Sequence, residues 1–275
     1  MGATSLRGRR IAITGAGRGI GLATAKALYR RGATIVIGDL DSESAVAAAG
    51  IVGPGTEGHP VDVSDYESFA TFHKEATAHA PLDVLINNAG IMPIGRFLEQ
   101  PADRHRRAVE INVMGCINGM HLALPAMVER GSGHIINIAS SAGKTPVPGG
   151  LTYCATKAAV IALTETARVE YAGTGVEFTC VMPSFTNTEL IAGTAGLKFI
   201  PTAQPDDVAE AIVAAVTRPT ADVFVPRIIG PILRSQPLIG RRLRDVVNQR
   251  LGAYRTFLDF DPAARAAYQH RIDES

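Results

Sequence analysis

The stretch from Arg10 to Gly38 most narrows what this 275-residue chain can fold into. A short apolar run from Arg10 to Thr14 leads straight into Gly15-Ala16-Gly17-Arg18-Gly19-Ile20-Gly21. An alanine-rich segment follows from Leu22 to Arg31, and a second apolar run spans Thr34 to Gly38. This reads as strand, glycine turn, helix and strand again. Such a turn brings backbone N–H groups and a helix N-terminus up to a pyrophosphate, and its tight points need residues without Cβ. The glycines miss Gly-x-Gly-x-x-Gly in every register, because Ile20 and Leu22 fall where the last glycine should be. They fit Gly-x-x-x-Gly-x-Gly at Gly15, Gly19 and Gly21.

The second strand ends at Asp39, eighteen residues past Gly21. A carboxylate there can accept hydrogen bonds from both ribose hydroxyls of an adenosine and would repel a 2′-phosphate, which favours NAD over NADP. Arg18 pulls the other way, as a base that could meet a 2′-phosphate, but Leu40 offers no second cation. A third strand, Gly58 to Val63, ends in Asp62-Val63, where Asp62 could bond an adenine amino group. A helix is expected from Asp65 to His79. Asp83 to Ile86 is a fourth strand, followed by Asn87-Asn88-Ala89-Gly90, small and polar where a backbone must approach a ligand. Strands alternating with helices over short connections predict right-handed crossovers and a parallel, doubly wound α/β sheet with helices on both faces.

A long helix from Ala102 to Val128 carries Asn112 in an apolar stretch. Either its amide is satisfied locally or it holds a water near a reacting group. Pro125 should kink or end that helix. The apolar run His134 to Ala139 reads as a buried strand delivering Ser140 to its carboxyl end, and the helix from Gly150 to Ala172 contains Tyr153 and Lys157. Four residues apart, these two project from one helix face. A free phenol titrates at about 10, and a neighbouring ammonium stabilises its anion, so hydroxyl, phenol and cation together read as a proton-transfer site. Beyond lie a sixth strand from Gly175 to Met182, a polar turn from Pro183 to Thr188, and a loose apolar segment from 189 to 200 that is either a mobile lid or a surface loop. A helix from Gln204 to Thr217 and a last strand from Asp222 to Val225 complete the pattern.

Composition adds exclusions. A net charge of +1 and 46% hydrophobic residues describe an ordinary globule with no call for nucleic acid. Cys116, Cys154 and Cys180 are too widely spaced for a zinc site or disulfide framework and fit a reducing, cytoplasmic setting. The seven histidines show no ligand spacing with carboxylates, so no metal is expected. Neither an apolar leader core nor a run of about 18 apolar residues is visible.

Thr14-Gly15-x-x-x-Gly19-Ile20-Gly21, Asp39, Asp62-Val63, Asn87-Asn88-Ala89-Gly90, Asn112, Ser140 and Tyr153-x-x-x-Lys157 stand in one order. Together they resemble the short-chain dehydrogenase/reductase family over residues 6 to 226. Tyr153 lies thirteen residues after Ser140, the family's interval, which selects Ser140 over Ser141. The resemblance implies a single-domain Rossmann fold of seven parallel strands and a nicotinamide cofactor, with residues 1–226 as dinucleotide-binding and catalytic domain and 227–275 as a helical extension. It implies that Tyr153 is general acid/base, that Ser140 bonds the substrate oxygen, that Lys157 lowers the phenol's pKa and binds ribose, and that Asn112 holds a relay water. Gly15, Arg18, Gly19, Ile20, Gly21, Asp39, Asp62, Val63, Asn88, Ala89, Gly90, Pro183, Thr186 and Thr188 would line the cofactor, with Thr188 on the carboxamide. The family's Pro-Gly is here Pro183-Ser184, and a serine restricts φ where glycine would not. Four subunits, or two, joined through the two long helices are what the resemblance suggests.

The expected substrate wall is Ile91-Met92-Pro93-Ile94, Val147 and the 189–200 segment, with Lys144 and Lys198 as its only cations. That predicts an apolar secondary alcohol or ketone. Residues 227–258 carry seven arginines against Asp245 up to Arg255, with Ile239, Leu243, Val246, Val247, Leu251, Tyr254 and Leu258 at helical spacing. They read as one basic amphipathic helix, docked on the domain or another subunit, or lying on a membrane surface. An NADPH-dependent ketone reductase and a non-catalytic nucleotide-sensing protein are the rival readings, and the intact phenol and serine argue against the second.

Overall fold

Strands that are apolar without alternation can be buried on both faces only in the middle of a layered α/β fold. The computed structural model describes residues 5–196, 201–250, 252 and 254–274. Its strands are β1 (Arg10–Thr14), β2 (Thr34–Asp39), β3 (Glu57–Pro60), β4 (Val84–Asn87), β5 (Gly133–Ile138), β6 (Val176–Pro183) and β7 (Asp222–Val225). They form one sheet in the order β3-β2-β1-β4-β5-β6-β7, every neighbouring pair parallel. β1 and β4 are buried throughout. The strand order reverses between them, and open sheets of this kind bind ligands at the carboxyl ends beside such a reversal.

Helices α1 (Gly19–Tyr29), α2 (Ser42–Val52), α3 (Tyr66–Thr77), α4 (Ala102–Val109), α5 (Gly115–Arg130), α6 (Leu151–Glu170) and α7 (Pro205–Thr217) cover the two faces. Leu28, Ala48 and Ile212 of α1, α2 and α7 pack with Ile11, Ile13 and Ile37, while Phe69, Ala123 and Ala167 of α3, α5 and α6 pack with Ala12, Val36 and Leu85. The pleat therefore sends alternate side chains of β1 and β2 into two separate cores.

Several boundaries differ from the sequence expectation. Helix α1 begins at Gly19, so Ile20 and Gly21 lie in its first turn, and β3 stops at Pro60, leaving Asp62 and Val63 in the loop beyond it. The single helix expected over Ala102 to Val128 is two helices joined by a π-helical turn, Glu110–Met114, and Pro125 sits inside α5 without ending it. Ala102–Arg130 is long and apolar enough to cross a membrane by length and composition alone, but half of that window is buried inside the fold, as in a core helix.

The extension is not one amphipathic helix. Pro237, Gly240 and Gly252 break it into α8 (Ile229–Ser235), a 3-10 turn, α9 (Arg241–Arg250) and a further helix, α10 (Pro262–Glu274). Asp261 caps α10, accepting from the N–H groups of Ala263 and Ala264 at 2.9 and 3.3 Å. Leu197, Lys198, Phe199, Ile200 and Leu251 lie outside the described residues.

Candidate active site

At the β1–β4 reversal, three segments lock together. The Thr14 hydroxyl accepts hydrogen bonds from the N–H groups of Asn88 and Ala89 at 3.1 and 3.2 Å, and the Asn88 amide donates to the carbonyls of Thr14 and Gly15 at 2.9 Å each. Gly15 has φ +62°, and a Cβ there would stand 2.7 Å from Ala89 Cα. At Gly21 a Cβ would stand 2.5 Å from the Gly15 carbonyl. These two positions therefore admit only glycine. The carboxyl of Asp39 accepts the Gly17 N–H at 2.8 Å, which holds the turn against the end of β2.

Helices α2 and α3 are capped by Asp41 and Asp65, but α1 has no side-chain cap and no acid in its first turn. Its N-terminal donors, with Gly19 and Ile20 lining the cavity in front of them, suit an anion. Asp62 spends one carboxyl oxygen on the N–H and hydroxyl of Ser64, at 2.9 and 2.6 Å, and Val63 is buried beside it. Arg18 donates to the Ser44 hydroxyl at 3.0 Å and lies 3.6 Å from Asp41 and 3.8 Å from Glu189. Its charge is already shared between two carboxylates. Glycines that cannot carry a Cβ, an uncapped helix end and a carboxylate at the tip of β2 fit a nicotinamide dinucleotide.

The reacting groups lie on the other side of β4. Ser140 follows β5 in extended conformation, its oxygen accepting from Ala142 N–H at 3.2 Å and donating to the Pro183 carbonyl at 3.4 Å. It also hydrogen-bonds Tyr153, which stands in the first turn of α6. One turn on, the Lys157 ammonium donates to the Ile138 carbonyl at 2.8 Å and lies 5.9 Å from the centre of the Tyr153 ring. All three side chains are buried. Burial dominates the Tyr153 phenol and pushes its pKa up, with the Ser140 hydrogen bond opposing. Burial likewise pulls the Lys157 ammonium down.

Asn112 sits in the π turn, and its amide makes three hydrogen bonds. The oxygen accepts Ile91 N–H at 2.8 Å, and the nitrogen donates to the Ile91 carbonyl at 2.9 Å and the Thr156 hydroxyl at 3.0 Å. The amide is thus satisfied locally, one of the two readings left open by the sequence. The side chain pins the Gly90–Ile91 loop to α6. At the end of β6 and just beyond it, Pro183, Thr186 and Thr188 reach the cavity, and Ser184, which lines it too, donates its N–H to the Val225 carbonyl at 2.7 Å.

Cofactor end and reacting groups share one cavity of about 940 Å³. Met92, Val147, Leu190 and Ile191 line it as the sequence suggested, but Lys144 does not. Among the described residues the cations on its wall are Arg18, Arg107, Arg244 and Arg271 together with Lys157, so arginines line it where only lysines were expected. Much of the substrate side comes from the extension: Ile229, Leu233, Phe257, Tyr268 and Ile272. Arg265, almost wholly buried, donates to the carbonyls of Leu190, Ala192 and Met92 at 2.7, 3.2 and 2.6 Å, and the Tyr268 hydroxyl accepts Met92 N–H at 2.8 Å. Sequence reasoning missed these residues. The signal was an Asp-Pro helix start at Asp261-Pro262 followed by Arg265, Tyr268 and Ile272 along one helix face.

Comparison with known proteins agrees with this geometry. The family model described as short chain dehydrogenase matches residues 9–195. A "Probable oxidoreductase EphD" of Mycobacterium tuberculosis is 39% identical over 189 residues, 67% of this chain; the match spans only 32%, about a third, of that protein. A "Ketoacyl reductase HetN" of Nostoc sp. is 35% identical over 232 residues, covering 81% of this chain and 80% of that protein. Among solved structures, a 3-ketoacyl-(acyl-carrier-protein) reductase from Brucella melitensis complexed with NADH has a TM-score of 0.73 at 27% identity, covering 80% of this chain and 98% of its own. A gluconate 5-dehydrogenase from Burkholderia cenocepacia in complex with NADP and tartrate has a TM-score of 0.71 at 28% identity, covering 81% and 95%. The chain belongs to the short chain dehydrogenase family, on a single seven-stranded Rossmann fold.

Proposed function

We propose that the protein interconverts an apolar secondary alcohol and its ketone with NAD rather than NADP. The observation that carries this reading is the single cavity in which Ser140, Tyr153 and Lys157 face an apolar wall at one end while Asp39 stands at the other. Bound there, the nicotinamide supplies the hydride acceptor or donor. Tyr153 exchanges the proton with the substrate oxygen, and Ser140 bonds that same oxygen and orients it. Lys157, anchored on the Ile138 carbonyl, stabilises the phenolate and reaches the nicotinamide ribose. The Asn112 amide is held by Ile91 and Thr156, and a relay water beside it would bond the main chain of the π turn or the second lone pair of its oxygen.

For the cofactor, the Asp39 carboxylate repels a 2′-phosphate directly, and Arg18 is drawn off by Asp41 and Glu189. Arg18 is the one feature that favours the second reading, an NADPH-dependent reductase. Fluorescence titration with NADH and NADPH, followed by turnover on a panel of apolar and small charged alcohols, tests both points. Tighter NADH and a preference for apolar substrates are expected; tighter NADPH, or a preference for charged hydroxy acids, overturns the respective half. Exposed Val109 and Met114 near the π turn, with Leu151 and Val169 on α6, support assembly as a homodimer or homotetramer through these helices. The three free thiols support a cytoplasmic setting.

A further inference from the structure

The first part of the extension carries a surface that neither the cofactor nor the reacting groups use. Ile228, Ile232, Leu238, Leu243, Val246 and Tyr254 are large apolar residues standing in solvent, with Leu238 88% and Leu243 61% exposed. Single exposed apolar residues are ordinary, but six within one short segment are not. The same segment holds seven arginines and one acid. Arg234, Arg244 and Arg255 reach Asp222, Asp245 and Asp259 at 3.6, 4.0 and 3.6 Å, whereas Arg227, Arg241, Arg242 and Arg250 have no acidic partner among the described residues.

We propose that α8, the 3-10 turn and α9 dock on an anionic lipid bilayer, with Leu238, Leu243 and Val246 set into the boundary between headgroups and acyl chains and the unpaired arginines on lipid phosphates. Leu243 and Val246 are three apart on α9 and share a face, and arginine side chains reach a charged interface while their stems stay on apolar surface. Charge decides among occupants. A second copy meeting this face about a two-fold axis would set arginines against arginines, whereas an anionic bilayer offers the opposite charge with an apolar layer beneath it. The surface is also continuous with the site, because Ile232, Ile239 and Arg244 line the catalytic cavity. The cavity therefore opens beside the docked face. That this gives substrate a path from the membrane rests on the apolar-substrate reading; the docking itself does not.

The test is co-sedimentation of the full chain with vesicles of phosphatidylglycerol and phosphatidylcholine, against phosphatidylcholine alone, comparing wild type with a Leu238→Asp, Leu243→Asp double variant. Neither leucine lines the cavity, so NADH affinity by fluorescence should be unchanged in the variant and reports that it is folded. Wild type should bind the mixed vesicles and release them as salt rises, and the variant's bound fraction should fall about tenfold. An Arg241→Gln, Arg242→Gln variant should lose chiefly the salt-sensitive part. Equal binding by wild type and the leucine variant, or no binding of wild type to anionic vesicles, overturns the proposal. So does a wild type indifferent to vesicles whose oligomeric state changes in the leucine variant, which would make this face an interface between copies. A failed apolar-substrate screen leaves the vesicle result standing, so the two failures are distinguishable.

Discussion

Burial holds the Tyr153 phenol protonated well above neutral pH, with the Ser140 hydrogen bond pulling the other way. A protonated phenol is the acid that ketone reduction needs, while alcohol oxidation needs the phenolate. Oxidation should therefore accelerate with rising pH across the alkaline range while reduction slows, and initial-rate profiles in both directions check this. Tyr153→Phe should lower turnover about a thousandfold in both directions with NADH affinity retained; a variant that keeps its rate would remove Tyr153 from the chemistry. Lys157→Met should move the oxidation limb to still higher pH, because the phenolate loses its nearby cation. At the other end of the cavity, Asp39 is tied to the Gly17 N–H on one oxygen, so Asp39→Ser costs both a turn contact and the repulsion of a 2′-phosphate. NADH affinity should fall about tenfold, the loss of a charged hydrogen bond, and NADPH affinity should rise. Parallel titrations with the two cofactors check the sign of each change.

Among the elements, α10 acts on the site through Arg265, whose guanidinium stacks 4.6 Å over the Tyr268 ring and takes three main-chain carbonyls as its partners. It is a positioning residue: it holds the 190–192 turn and Met92, both on the substrate wall, to the end of the chain. Arg265→Met should raise KM for substrate about tenfold with a smaller change in kcat, and should speed proteolytic cleavage within residues 189–196, because three main-chain carbonyls lose their donor. Arg265→Lys should recover only part of this, since one ammonium cannot span the fork. Unchanged KM and cleavage would reduce α10 to packing. This contact also explains why the extension was hard to read. The glycine turn and the Tyr153–Lys157 pair are local demands of backbone and helix geometry, so they appear as short spacings. Arg265 and its three acceptors lie 73 to 173 residues apart in the chain, and no spacing encodes them. The π turn was hidden for another reason: one extra residue in a helical turn leaves the apolar pattern of 109–114 nearly unchanged. In contrast, the breaks at Pro237, Gly240 and Gly252 were legible and outweigh the apolar spacing that suggested one helix.

Across the whole molecule, a sheet buried on both faces forces its polar side chains to find partners inside, and here they form cross-strand links. Asn87 donates to Asn137 at 2.8 Å, and Asn137 donates to Thr164 at 2.9 Å, joining β4, β5 and α6. His134 makes a second link with a consequence for stability. Its Nε2 meets the Thr179 hydroxyl at 2.8 Å, and that hydroxyl already donates to the Thr220 carbonyl at 2.7 Å, so Nε2 must carry the proton and Nδ1 be bare. Nδ1 is buried without a hydrogen-bond partner among the described residues, and burial, aided by Arg9, lowers the imidazole to about 4. The unfolded chain, titrating at its ordinary value of 6.5, then binds more protons than the folded one, so stability is full above that value and falls as pH drops toward about 4. Between pH 7 and pH 5 this one group should remove about 2 kcal/mol. Burial lowers His73 in the same direction, so His134 accounts for part of the slope. Replacing it with glutamine keeps a donor toward Thr179 and deletes the titration. Denaturant unfolding at a series of pH values should give a shallower acid slope for His134→Gln than for wild type, whatever the offset between the two curves; parallel slopes would show that His134 takes no part in acid unfolding.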